Sequence, residues 1–204
     1  MARRLKVKNT AVLCPTGVDM LELASGDLLV SPPTIVDSRF EKTVLLLTHN
    51  TEAGSLALCV NRPTEHKIND IIKELNLKLE DNFPLYWGGP VNPNTIWMLH
   101  SKDWQVESTL EVNEKWSLTS HASMFHHLAD GDIPKRFRVC FGQSSWGPGQ
   151  LRGELEGDPP WSKNHSWLVV KQPDAKWLME TPTKNLWIES TTICGEQTVE
   201  SWLA

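Results

Sequence analysis

Histidines, a serine pair and glycine-rich turns are the parts of this chain where chemistry could reside. His49 and His100 each end an apolar run of strand length. If those ends met near an Asp or Glu, the two imidazoles could help hold a metal ion. No close-spaced pair such as HxH or HExxH supports that centre, so hydrogen-bonded structural histidines are the default. His126 and His127 are neighbours on a predicted helix, point about 100° apart and make a poor chelate. Ser144 and Ser145 invite a nucleophile. Yet Gly142-Gln143-Ser144-Ser145-Trp146 lacks the second glycine of a G-x-S-x-G elbow, and no base and acid can be ordered around it.

Other residue types point to binding. Trp146-Gly147-Pro148-Gly149-Gln150 joins a predicted strand to a predicted helix, where free amides could meet an anion. The stretch has neither the Lys of a phosphate-binding loop nor the spacing of a dinucleotide fingerprint. The favoured reading is a tight turn under Trp146, with Gly147 and Gly149 at positive φ. Gly88-Gly89-Pro90 is read the same way. Arg62 precedes Pro63, which biases it to extended backbone, and it could reach into a cleft toward an acidic group or settle in a salt bridge. Together His49, Asn61, Arg62, Gly88, Gly89, His100, Trp146, Gly147, Gly149 and Gln150 form a candidate ligand cleft, provided the fold brings them together. No catalytic residue, metal ligand or cofactor is assigned.

The elements that must position these residues follow from periodicity. Asp27–Val30 is a short strand stopped by Pro32-Pro33. Thr43–Thr48 and Ser55–Val60 are continuous apolar runs, so both are predicted as strands covered on two faces. His49–Gly54 is predicted as the turn of their hairpin. Ile68, Ile71, Ile72 and Leu75 have helical spacing, with Asn61 or Thr64 as candidate cap. Leu85–Trp87, Thr95–His100 and, more weakly, Ser108–Val112 read as strands. A helix is predicted from Thr119 or Ser120 through Leu128, with Gly131 as its stop. Phe137, Val139 and Phe141 share one face of a strand entering the focal turn, and Gln150–Leu155 could open a helix. Trp167–Val170 is a strand, while Asp19–Leu23, Ala175–Met179 and Val199–Leu203 are short helical candidates. Strands come as neighbours more often than they alternate with helices, which predicts α+β with a largely antiparallel sheet.

Composition sets outer bounds. The 204 residues suit one domain, and 40% apolar content is enough for a core. A formal charge of −5 provides no global field for nucleic acid. The basic clusters Arg3/Arg4/Lys6/Lys8 and Lys135/Arg136/Arg138 read as solvated surface. Ten tryptophans favour a binding surface without locating it. Cys14, Cys59, Cys140 and Cys194 form no CxxC motif, and the middle two read as small buried side chains. A reduced, cytoplasmic setting is expected. No apolar run is long enough for a membrane helix, and residues 1–24 read as a leader to a single domain over 25–204.

Gly26-Asp27-Leu28-Leu29, Thr43–His49, Asn61-Arg62-Pro63-Thr64-Glu65, Tyr86-Trp87-Gly88-Gly89-Pro90-Val91, Leu99-His100 and Trp146–Leu151 occur in an order and spacing that resemble the AlgH/YqgE family, over about residues 25–190. The resemblance implies one α+β domain with a sheet partly folded on itself and flanking helices. It implies a family of uncharacterised proteins, some linked to transcriptional regulation, with no established catalytic residues. The long leader, Gln143-Ser144-Ser145, the loop at 157–165 and the C-terminal part with Trp177, Trp187 and Trp202 depart from the family pattern. The leading expectation is a non-enzymatic binding or regulatory protein that acts through a protein or small-molecule partner. Direct DNA binding is disfavoured by charge and by the lack of a helix-turn-helix. The alternative is a small hydrolase or metal-dependent enzyme using His49 and His100.

Overall fold

The structure is a computed structural model that describes residues 23–160 and 167–203. The predicted helix near Asp19, Cys14 and part of the 157–165 loop lie outside them. One domain is formed by a curled, largely antiparallel sheet with helices on its faces, as the α+β reading expects. Ten strands run in the order β10-β1-β2-β3-β9-β6-β8-β7, with β4 paired to β5 and β5 to β9. They are β1 (Leu28–Val30), β2 (Val44–Thr51), β3 (Gly54–Cys59), β4 (Pro63–Lys67), β5 (Pro84–Trp87), β6 (Val91–Ser101), β7 (Leu110–Glu111), β8 (Trp116–Thr119), β9 (Phe137–Trp146) and β10 (Leu168–Val170). The helices are α1 (Ile68–Ile72), α2 (Ser123–Ala129), α3 (Gln150–Glu156), α4 (Ala175–Glu180) and α5 (Thr183–Leu203). Among the described residues no helix is long and apolar enough to cross a membrane.

The continuous apolar runs of β2 and β3 arise because both sheet faces are covered. Val44, Leu46, Leu58 and Val60 pack toward α4 and α5, against Leu178, Leu186 and Cys194. Leu45, Leu47, Ala57 and Cys59 face the other way, toward Leu151, Trp146 and Trp167. A third cluster joins Ile68 and Ile72 of α1 and Met124, Phe125 and Leu128 of α2 to Met98 and Val139.

β9 organises the whole sheet. Its first half pairs with β6 on one edge and, in parallel, with β5 on the other. Its second half, Ser144–Trp146, pairs with Ala57–Ser55 of β3. The chain leaving β5 crosses over β9 to start β6 at Val91, opposite Gln143. Gly88 and Gly89 make that crossing. A Cβ on Gly88 would lie 2.3 Å from the Gly142 carbonyl oxygen, and one on Gly89 would lie 2.2 Å from the Gln143 carbonyl carbon. Only glycine permits so close an approach of two backbones.

Several boundaries differ from the sequence reading. The β2–β3 turn is confined to Glu52-Ala53, because a bulge after Leu47 keeps His49–Thr51 in register with β3. Pro63–Lys67 is a strand of its own, and α1 starts after it, where the Asp70 carboxylate accepts a bond from the Lys67 N–H at 2.8 Å. Asn61 and Thr64 are therefore not its caps. Leu75 is exposed, because α1 gives way to a 3-10 turn that closes on Asn76 at φ 56°. Thr119 belongs to β8 and α2 begins at Ser123. Gln143–Ser145 continue β9 past the alternating Phe137, Val139 and Phe141.

Candidate functional site

The end of β9 and the start of α3 form one wall of a cleft of about 360 Å³. Trp146, Ser144 and Gln150 supply that wall, Ile35 and Phe40 the opposite one, and Trp167 closes the end. Trp146 is positioned by two neighbours: its strand pairs with Ser55, and its indole N–H donates to Glu154 Oε2 at 3.0 Å. The Trp167 indole donates to the same oxygen at 3.0 Å, and Gln150 Nε2 donates to Glu154 Oε1 at 2.9 Å. One carboxylate on α3 thus sets two rings and the neighbouring amide. Ser144 is 2% exposed, and its hydroxyl has no hydrogen-bond partner among the described residues. A buried hydroxyl without a partner carries a desolvation cost that a bound polar group would remove.

The glycine-rich turn behaves mainly as the tight-turn reading expects. Gly149 has φ +71°, whereas Gly147 lies outside the left-handed region. The Gly147 N–H is already occupied, donating to Gln150 Oε1 at 3.0 Å. Gly88 and Gly89 serve the backbone crossing just described, and the next residue, Pro90, lines the cleft.

Asn61 and Arg62 brace the opposite wall. Asn61 Oδ1 accepts from the Val44 N–H and its Nδ2 donates to the Lys42 carbonyl, both at 2.9 Å. The Arg62 guanidinium donates to the Arg39 and Glu41 carbonyls and lies 5.3 Å over the Trp87 ring. Its charge therefore fixes the loop that carries Phe40, without a carboxylate partner among the described residues. Arg39 is paired to Asp37 at 2.6 Å at the cleft mouth.

The two histidines are not brought together. His100 lies opposite Phe137, whereas His49, through Leu56, lies opposite Ser145. The length of β9 from 137 to 145, roughly 25 Å at the rise of a strand, separates their rows. His100 is fully buried. Its Nδ1 donates to the Ser101 carbonyl and its Nε2 meets the Thr119 hydroxyl, both at 3.0 Å. Burial pushes its imidazole pKa down. His49 is exposed and shares a sheet face with Ser145, opposite the face carrying Trp146. Among the described residues, no group of three His, Cys, Asp or Glu side chains is placed to hold a metal. Burial also pushes the Cys59 and Cys140 thiols up to about 11 and about 12, which leaves little thiolate at neutral pH.

Of the ten sequence candidates, Trp146 and Gln150 line the cleft. Gly147 and Gly149 lie in the turn between those two, Gly88 and Gly89 lead into Pro90, and Asn61 and Arg62 hold the loop behind Phe40 without lining the cleft, while His49 and His100 lie elsewhere. Sequence reasoning missed Phe40, Glu154 and Trp167, and it weighed Ser144 only as a nucleophile. A family model described as AlgH-like matches residues 28–199. The chain belongs to the AlgH-like family. It is 32% identical over 166 residues to a UPF0301 protein of Sphingopyxis alaskensis, covering 80% of this chain and 84% of that one. It is 34% identical over 165 residues to a UPF0301 protein of Rhodospirillum rubrum, covering 79% and 82%. The solution structure of AlgH from Pseudomonas aeruginosa superposes with a TM-score of 0.69 at 24% identity, covering 84% of this chain and 88% of that one. A crystal structure from Corynebacterium diphtheriae gives 0.64 at 19%, covering 83% and 86%. The AlgH-like fold therefore extends over nearly all of the described residues.

Proposed function

We propose that the protein is a non-enzymatic binding protein that takes a small ligand in the Trp146–Trp167 cleft. A regulatory role in the cytoplasm would be exerted through occupancy of that cleft. The supporting observation is the Ser144 hydroxyl, buried and without a described partner, in a cleft that it lines together with Trp146, Trp167 and Phe40 and the polar side chains of Gln150 and Glu154. A concave site that combines aromatic rings with a few polar groups able to fix orientation is the pattern of a ligand pocket. The alternative, hydrolysis by a metal held on His49 and His100, has no comparable support, since both nitrogens of His100 are engaged within the core. Direct nucleic-acid binding is disfavoured by the net charge of −5.

A thermal-shift screen over metals, nucleotides, sugar phosphates, small amines and short duplex DNA tests the reading. A ligand that binds only the native state must raise Tm. The expected result is a rise with at least one small organic compound, no rise with duplex DNA, and a smaller rise in Ser144→Ala. That variant removes the unpartnered hydroxyl, so the free protein should be unchanged in stability or gain up to about 1 kcal/mol. A ligand shift of equal size in Ser144→Ala would remove the cleft from the account, as would a panel that raises Tm only with metals.

A further inference from the structure

The cleft sits at one end of a row of aromatic rings. Trp87 and Phe40 lie 6.1 Å apart between centroids, Phe40 and Trp167 5.6 Å, and Trp167 and Trp146 6.0 Å. The first two rings each carry a cation: Arg62 lies 5.3 Å over Trp87, and Arg39 lies 5.9 Å over Phe40. Among the described residues no cation lies over Trp167 or Trp146. Yet these two rings are the best prepared for one. They stand nearly perpendicular, at 83°, and Phe40 stands at 84° to Trp167, so the three rings that line the cleft meet one another edge to face. Both indole N–H groups donate to the single oxygen Oε2 of Glu154. A full anion accepting from an indole pushes electron density onto the ring and strengthens the attraction of its face for a positive charge. Among the described residues the charged groups lining the cleft are Arg39, Asp37 and Glu154. Arg39 pairs with Asp37 at 2.6 Å, and no described cation is paired with the Glu154 carboxylate at the corner.

Building on the cleft reading above, we infer that the ligand carries an alkylated ammonium group, which seats in the Trp146–Trp167–Phe40 corner. Alkylation matters because a bare ammonium is strongly hydrated and must shed that water, whereas a methylated nitrogen spreads its charge over an apolar surface suited to ring faces. The Ser144 hydroxyl lines the same cleft and offers a hydrogen bond to a polar group a short distance along the ligand.

The test is a titration of ¹⁵N-labelled protein with choline chloride, tetramethylammonium chloride and the neutral choline isostere 3,3-dimethylbutan-1-ol, at constant ionic strength. The indole N–H signals of Trp146 and Trp167 are the reporters. Those of Trp177 and Trp187 serve as internal controls, since they bond to Glu189 and to the Ser31 carbonyl. Both cations should shift the first pair saturably and leave the controls still. The isostere should bind roughly tenfold more weakly, and Glu154→Gln, which keeps shape but removes the charge, should bring choline down toward the isostere. Phosphatidylcholine vesicles form a second arm: sedimentation with them assigns the cation to a lipid headgroup, and its absence assigns it to a soluble amine. Equal binding of choline and its isostere overturns the inference, as does choline affinity unchanged by Glu154→Gln. If another compound from the thermal-shift panel moves the two indoles while both cations fail, the ammonium assignment falls and the cleft reading stands. If no stabilising compound moves them, both fall.

Discussion

At the scale of single residues, His100 is the clearest case of a reactive side chain used for structure. Its Nδ1 proton goes to a carbonyl, so its Nε2 accepts from Thr119, which in turn meets Thr109 at 2.9 Å. The ring is edge-on to Trp104 at 4.9 Å. Protonating Nε2 would remove that acceptor and oblige the Thr119 and Thr109 hydroxyls to turn, inside the core. Burial lowers the imidazole pKa, opposed by the Ser101 carbonyl and by Asp103. A folded pKa below the unfolded value of about 6.5 means that the unfolded chain takes the proton first. Stability is then complete above about pH 6.5 and lost as pH falls through the folded value, with a slope of at most about 1.4 kcal/mol per pH unit from this group. Urea midpoints measured from pH 7.5 to 5 should fall more steeply for the native protein than for His100→Asn; parallel profiles would remove His100 as the cause. The site was only partly legible at this scale. Trp146 and Gln150 stood out because they flank a glycine-rich strand-to-helix turn. Phe40 and Trp167 did not, because each looks like an ordinary aromatic within its own segment and acquires its meaning only across the sheet. Glu154 lies four residues beyond Gln150, a spacing that marks two side chains on one helix face, but nothing local says that two indoles converge on it.

Among elements, the joint between the sheet and α4 depends on one buried charge. Arg138 is 4% exposed on β9 and donates to the Val60 carbonyl, to Leu178 at 3.0 Å and to Met179 at 3.4 Å, with its guanidinium 5.3 Å over Tyr86. Two of its partners, the Leu178 and Met179 carbonyls, lie near the end of α4, where carbonyls carry the negative pole of the macrodipole. Burial lowers its pKa, but a guanidinium stays charged throughout the physiological range. Arg138→Met keeps much of the volume and strands three carbonyls. It should lower unfolding stability by about 2–4 kcal/mol, measured by urea denaturation, while surface Lys135→Met stays within about 0.5 kcal/mol. From sequence, Lys135, Arg136 and Arg138 read as one solvated basic cluster; alternation places Arg136 and Arg138 on one face, opposite Phe137, Val139 and Phe141, so nothing local marks Arg138 as buried. α5 shows why other elements were hidden. Only its last residues, from Val199, were expected to be helical, yet it starts at Thr183. Its buried stripe is Leu186, Ser190 and Cys194, and the Ser190 hydroxyl bonds back to the Leu186 carbonyl at 2.6 Å. A stripe with serine at its centre has little hydropathy contrast, so contact with β10, β1 and β2 makes this helix rather than propensity.

For the whole molecule, sharing β9 between two strand neighbourhoods makes the domain one cooperative unit. Its first half belongs to the cluster under α1 and α2, its second half to the cluster under α3, and the β5-to-β6 crossing pins the middle. Neither half can be lost without freeing the strand that completes the other. The crossing is the most sensitive point. Gly89 sits at φ +155°, and a Cβ there would come within 2.4 Å of the Ser144 nitrogen and the Gln143 carbonyl oxygen as well. The obstacle is the Gln143–Ser144 peptide itself, so no side chain can rotate away to make room. Gly89→Ala should therefore cost more than about 4 kcal/mol or prevent folding outright. Gly131→Ala is the control: its φ of +79° is also left-handed, but nothing lies within 4 Å, so it bears only the cost of a strained backbone, about 1–2 kcal/mol. In the native protein, unfolding followed by tryptophan fluorescence and by far-UV circular dichroism should give one coincident transition. Amides of β9 on both sides of Gly142 should exchange with the same free energy, that of global unfolding. Two separated transitions, or exchange that is faster at Ser144–Trp146 than at Phe137–Phe141 by orders of magnitude, would show that the two halves open independently.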